Sequence, residues 1–102
     1  MRVEIVHIVD CAGGLEAARL LRAALDATGH QTITITQTLI DSPAAAAAVW
    51  FAGSPTILID GTDLFPSAAR IEHLACRVYP TPRGLSGSPT GEQLREAIAA
   101  RG

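Results

Sequence analysis

The chain has 102 residues, 48% of them apolar and 18% charged. That allows one domain with one core and excludes a disordered tail or a solvated coiled coil. Formal net charge is −2, all eight basic residues are arginine and only four residues are aromatic, so no nucleic-acid partner is expected. The longest apolar run, Val3 to Val9, is broken by Glu4 and His7 and is too short to cross a bilayer. No signal-peptide pattern is present, so a cytoplasmic protein with no membrane partner is expected.

Val3-Glu4-Ile5-Val6-His7-Ile8-Val9 is β-branched and nearly continuous, which suits a central strand buried on both faces. It ends at Asp10-Cys11-Ala12-Gly13-Gly14, a turn of small residues. From Leu15 the period becomes helical. Leu15, Ala18, Leu21 and Leu25 form one stripe, and Glu16, Arg19, Arg22 and Asp26 form a charged opposite face. Gly29 is placed to end this helix. Thr32 to Thr36 alternates Thr and Ile, which predicts a second strand and a right-handed βαβ unit with a parallel pair.

Ser42 caps and Pro43 opens a second helix, which runs through the alanines to about Ala52. Val49, Trp50 and Phe51 are its heavy packing residues, with an exposed partner-docking patch as the other use of that cluster. Gly53 ends the helix, Pro55 opens a third strand and Asp60-Gly61 is a turn signal. Two readings fit the next stretch. In one, Thr62 to Phe65 is the return strand of a hairpin, followed by a short helix near Ser67 to Leu74. In the other, Cys76-Arg77-Val78-Tyr79 is the return strand and a long loop precedes it. Ser86 to Thr90 is a linker, and Thr90 caps a final helix, Gly91 to Ala100, with Leu94 and Ile98 as its apolar stripe.

Cys11 and Cys76 lie 65 positions apart. Two cysteines at that spacing make neither a structural metal site nor a disulfide scaffold. Either both are small buried residues or at least one is a reactive thiol. The order β-α-β-α-β-β-α, with a cysteine after the first strand and an X-Pro opening the third, resembles the thioredoxin-like superfamily over almost the whole chain. More narrowly, the chain is similar to small bacterial thioredoxin-family proteins, some of them selenoproteins, that are sometimes labelled alkylmercury-lyase-like. Gly53-Ser54-Pro55-Thr56, Asp60-Gly61-Thr62-Asp63-Leu64-Phe65 and Cys76-Arg77-Val78-Tyr79 carry that similarity beside the Cys11 turn.

The resemblance implies one α/β domain over residues 1–102, a mixed central sheet flanked by helices, acting as a thiol–disulfide oxidoreductase or redox-related protein without a cofactor or metal. Its nucleophile would be Cys11. A thiol in the turn before a helix meets unpaired N–H groups and the positive end of the helix dipole, and both favour thiolate. Gly13 and Gly14 leave the sulfur open, while Asp10 opposes the thiolate. The resemblance also implies a cis bond before Pro55. The backbone N–H and C=O of Ser54 would then be free to clamp an extended peptide or glutathione. Expected partners are protein disulfides or low-molecular-weight thiols such as glutathione.

One departure matters. Dithiol relatives carry a second cysteine where this chain has Gly14, so Cys76 is the only internal candidate for a resolving thiol. If Thr62 to Phe65 is the return strand, Cys76 lies beyond it and approaches the Cys11 end of the sheet. If Cys76 starts the return strand, it lies at the far end. Two alternatives stand beside the redox expectation: organomercurial or heavy-metal chemistry at a thiolate pair with Asp10 as proton donor, and a non-catalytic binding module. His7 is expected to be a satisfied core imidazole, and Asp60 and Asp63 to serve turn geometry. Arg77 and Arg83 are candidates to hold an anion such as a glutathione carboxylate.

Overall fold

A computed structural model describes residues 1–66 and 69–101. The chain folds as strands β1 (Val3–His7), β2 (Ile35–Leu39), β3 (Thr56–Ile59), β4 (Thr62–Asp63), β5 (Tyr79–Thr81) and β6 (Gly84–Ser86), with helices α1 (Ala12–Ala27), α2 (Pro43–Ala48) and α3 (Gly91–Arg101). The first four strands form a mixed sheet in the order β2-β1-β3-β4. β1 and β2 are parallel, with Val3 opposite Ile35, and β3 runs antiparallel to both β1 and β4. The α/β class and the mixed central sheet are as expected. A second two-stranded sheet, β5-β6, stands between β4 and α3 and was not anticipated.

Both faces of the sheet are covered. Val3, Ile5, Ile57 and Ile59 pack against Leu21 and Leu25 of α1 and Leu94 and Ile98 of α3. Val6 and Leu58 turn the other way, onto Ile40, Ala46 of α2 and Phe51. β1 therefore sits centrally, and α1 and α3 lie on the face opposite α2. Thr90 and Gln93 cap α3 reciprocally: Gln93 N–H donates to Thr90 Oγ1 at 3.1 Å and Thr90 N–H to Gln93 Oε1 at 2.9 Å.

Several expected boundaries move. The buried face of α1 is Gly14, Ala17, Leu21, Ala24 and Leu25, whereas Leu15 is 78% exposed. Leu21, Ala24 and Leu25 of the helix join the sheet's core cluster, and Leu15 is turned out. β2 begins at Ile35 rather than Thr32. The Arg22 guanidinium takes the carbonyls of Ile33 (2.5 Å) and His30 (3.1 Å), and so removes that stretch from the ladder. α2 stops at Ala48 because Val49 turns extended, and Arg70 satisfies the freed carbonyls of Ala47 and Val49. Of the cluster that follows, Phe51 is fully buried and Trp50 is 39% exposed.

The Asp60-Gly61 turn has φ of 52° and 80°, the paired left-handed conformation of a tight hairpin, and it brings Thr62 back beside Ile59. The return strand is thus Thr62–Asp63, and the alternative that began it at Cys76 is wrong. The helix expected near Ser67 to Leu74 is not formed over residues 69–74, and its first two residues lie outside the described ones. No helix among the described residues is long and apolar enough to cross a membrane.

Candidate functional site

Ser54 is the hub of the site. It is 1% exposed, and all its polar groups are engaged. Its N–H donates to the Ala75 carbonyl at 2.8 Å, and its carbonyl accepts the Arg77 N–H at 2.8 Å. The same carbonyl accepts the Cys11 thiol at 3.6 Å, and its Oγ accepts the Ile8 N–H at 3.0 Å. The Ser54–Pro55 bond is cis, as the resemblance implied. The expectation of free Ser54 backbone groups is corrected: Ala75 and Arg77 pair with them in an isolated parallel bridge that sets Cys76 directly opposite Ser54. A buried peptide edge needs partners, and here the chain supplies its own.

That segment is the middle of a strap from Arg70 to Tyr79 laid along the loop 49–55. Ile71 N–H donates to the Phe51 carbonyl at 2.8 Å, and the Tyr79 hydroxyl donates to the Pro55 carbonyl. Arg77, 5% exposed, anchors it: Nη1 meets Asp63 Oδ2 at 2.9 Å, Nη2 donates to the Phe65 carbonyl, and the guanidinium lies 4.6 Å from the Tyr79 ring centroid. Phe65 packs edge-on to the same ring at 5.6 Å. Asp63 therefore does more than shape a turn, and Arg77 is not free to hold a glutathione carboxylate. Arg83 is exposed in the β5-β6 turn. Asp60, as expected, serves the turn, its Oδ1 accepting the Arg2 N–H at 2.7 Å.

The strap brings Cys76 to Cys11. Both are free thiols, Cys11 half-buried and Cys76 exposed. Cys11 is the N-cap residue of α1, and its side chain makes no cap hydrogen bond, so the sulfur is left for other partners. The Cys76 thiol is pushed above the usual cysteine range, first by its electrostatic coupling to the neighbouring Cys11, with burial and hydrogen bonding to Cys11 adding to it. Tyr79 is also raised above the usual tyrosine range, first by burial, against the opposing charge of Arg77.

The other side of Cys11 opens into a cleft of about 350 Å³. Its walls are the end of β1 and the chain after it (His7 to Asp10), Gly14 and Leu15 of α1, and Gln37 and Leu39 of β2. His7 is half-buried at the end of β1, with Nδ1 3.3 Å from the Ile8 carbonyl. It lines the cleft with Cys11 rather than lying in mid-strand. Nothing in the sequence signalled this, because β1 stops two residues before the apolar run does. The two glycines also differ. A Cβ on Gly13 would lie 2.4 Å from the Gly87 carbonyl oxygen, so Gly13 admits the linker after β6, whereas Gly14 borders the sulfur and the cleft.

Among the described residues no group of three or more His, Cys, Asp or Glu is arranged to hold a metal ion. No protein family, curated protein or solved structure was found to match the chain.

Proposed function

We propose that this is a thioredoxin-like thiol–disulfide oxidoreductase whose redox pair is Cys11 and Cys76. The observation that carries the proposal is the meeting at Ser54: the Cys11 thiol donates to the carbonyl of the residue against which Cys76 is paired. The sheet order β2-β1-β3-β4 and the proline loop beside the cysteine turn support the fold assignment.

Position sets an order of events, since Cys11 is the N-cap residue of α1 and lines the open cleft, which Cys76 does not. Cys11, facing the open cleft, attacks one sulfur of a substrate disulfide; the S–S bond breaks, and the other half leaves and takes a proton. Cys11 is now a mixed disulfide without charge, so the main cause of the upward shift on Cys76 is gone. Cys76 then loses its proton and attacks the Cys11 sulfur, expelling the second half as a thiol and leaving a Cys11–Cys76 disulfide. The net change is reduction of one disulfide to two thiols and oxidation of the pair.

Two variants test this. Cys11→Ser should abolish exchange with a small disulfide and move the pH dependence of Cys76 alkylation to lower pH, because the neighbour that raises the Cys76 thiol is gone. Cys76→Ser should trap Cys11 as a lasting mixed disulfide, visible as added mass. Exchange that survives in Cys11→Ser, or a Cys11 adduct equally long-lived with and without Cys76, would sink the proposal.

A second reading rests on the same convergence. Two neighbouring thiols, with no third such ligand grouped with them among the described residues, suit a two-coordinate soft cation such as Hg²⁺, with Asp10 in the adjoining cleft wall as the nearby acid. Stoichiometric Hg²⁺ uptake that blocks both thiols at once is the result this reading requires.

A further inference from the structure

Resting on the thiol-pair reading, we infer that the cleft beside Cys11 takes an uncharged low-molecular-weight organic disulfide with apolar arms, and not a protein chain or glutathione. Two observations carry this. First, an extended chain recognised beside the sulfur needs main-chain partners, and those of Ser54 are held by Ala75 and Arg77. A substrate must therefore be recognised within the cleft itself. Second, the cleft's chemistry is apolar and, if anything, negative. Val9 (59% exposed), Leu15 (78%) and Leu39 (47%) present aliphatic surface around its mouth, and Asp10 lines it. No arginine lines it and the chain has no lysine.

Size agrees with charge. About 350 Å³ lies at the lower end of small-molecule sites, enough for two small rings or short alkyl arms. A multiply charged anionic tripeptide disulfide finds neither the volume nor a permanently charged cation there, His7 being the one basic side chain of the wall. Apolar arms would instead cover the leucines and deliver the S–S bond to the Cys11 sulfur. The reaction is the exchange given above, with the small disulfide as oxidant.

The test compares neutral 2,2′-dithiodipyridine with the dianionic 5,5′-dithiobis(2-nitrobenzoate), following release of the coloured thiol. Reactivity differs intrinsically, so each rate is divided by that of 2-mercaptoethanol at the same pH. Measured in Cys76→Ser, the rates report the first attack at Cys11 alone. The corrected preference for the neutral probe should be about three- to tenfold, the size of effect that one nearby charge and its screening allow. Exposed Leu15→Arg should shrink that preference, because it puts a cation at the mouth.

A corrected preference near one, or one unmoved by Leu15→Arg, overturns the inference. So does a faster corrected rate with the disulfides of insulin. The pair reading is judged separately, by whether Cys76 releases the Cys11 adduct in wild type, so the two failures are distinguishable.

Discussion

Arg77 joins the carboxylate of Asp63, the carbonyl of Phe65, the ring of Tyr79 and, through its backbone N–H, the carbonyl of Ser54. The Arg77 and Asp63 side chains are 4% and 2% exposed, so neither charge tolerates loss of the other. Arg77→Ala should cost about 3–5 kcal/mol in urea unfolding, because it strands a buried carboxylate. Replacing both partners, as in Asp63→Leu with Arg77→Met, should cost much less than Arg77→Ala alone. Equal losses would show that the pair contributes only through packing.

Tyr79 gives the molecule an alkaline limit. Its folded value is raised while the unfolded one stays near 10. The folded state therefore holds the proton more tightly. Stability is unaffected at neutral pH and falls once pH rises above about 10, where the unfolded chain ionises first. Tyr79 is the only tyrosine, so tyrosinate absorbance should appear together with unfolding. Ionisation near pH 10 in a chain that stays folded would contradict the buried hydroxyl.

Among the elements, the strap from Arg70 to Tyr79 decides whether Cys76 is part of the site, and Gly53 decides whether the strap can lie down. Gly53 has φ of +107°, and a Cβ there would lie 2.8 Å from Arg77 Cβ. Gly29 has φ of +84° with nothing within 4 Å of a Cβ. Gly53→Ala should cost about 1–3 kcal/mol more than Gly29→Ala and slow closure of the Cys11–Cys76 bond. Equal costs would mean that the strap is not held against the loop.

The legible elements were those fixed by local chemistry. The first strand, which ends two residues short of the Val3 to Val9 run that predicted it, the Asp60-Gly61 turn, Pro55 at the entrance to β3 and the Thr90 cap all carry their structure in neighbouring residues. The rest depended on contacts far along the chain. α2 ends where Arg70 takes its carbonyls, and β2 is shifted by Arg22. The β5-β6 hairpin was hidden because Tyr79-Pro80-Thr81-Pro82 reads as a loop. In the candidate site, the Cys11 turn could be read from position, whereas Pro55 beside it was implied by the thioredoxin-like resemblance. The occupation of Ser54 by Ala75 and Arg77 was not legible: Cys76-Arg77-Val78-Tyr79 could be read as a strand, but as the return of a hairpin and not as a parallel partner of Ser54.

At the scale of the whole molecule, a Cys11–Cys76 bond would tie the turn after β1 to the strap, closing a loop over 65 positions. On the chain-entropy account such a closure is worth about 4 kcal/mol, with native strain subtracting from it. The oxidised protein should unfold at clearly higher urea than the reduced one. An oxidised form less stable than the reduced one would mean that the sheet and strap must distort to bring the sulfurs together.

The most direct measurement is peptide mapping by tandem mass spectrometry after one equivalent of a small disulfide, at a protein concentration low enough to avoid dimers. The predicted result is an intramolecular link between the Cys11 and Cys76 peptides that dithiothreitol removes. Cys11 and Cys76 recovered unlinked, each carrying its own adduct or joined only between chains, would contradict the account.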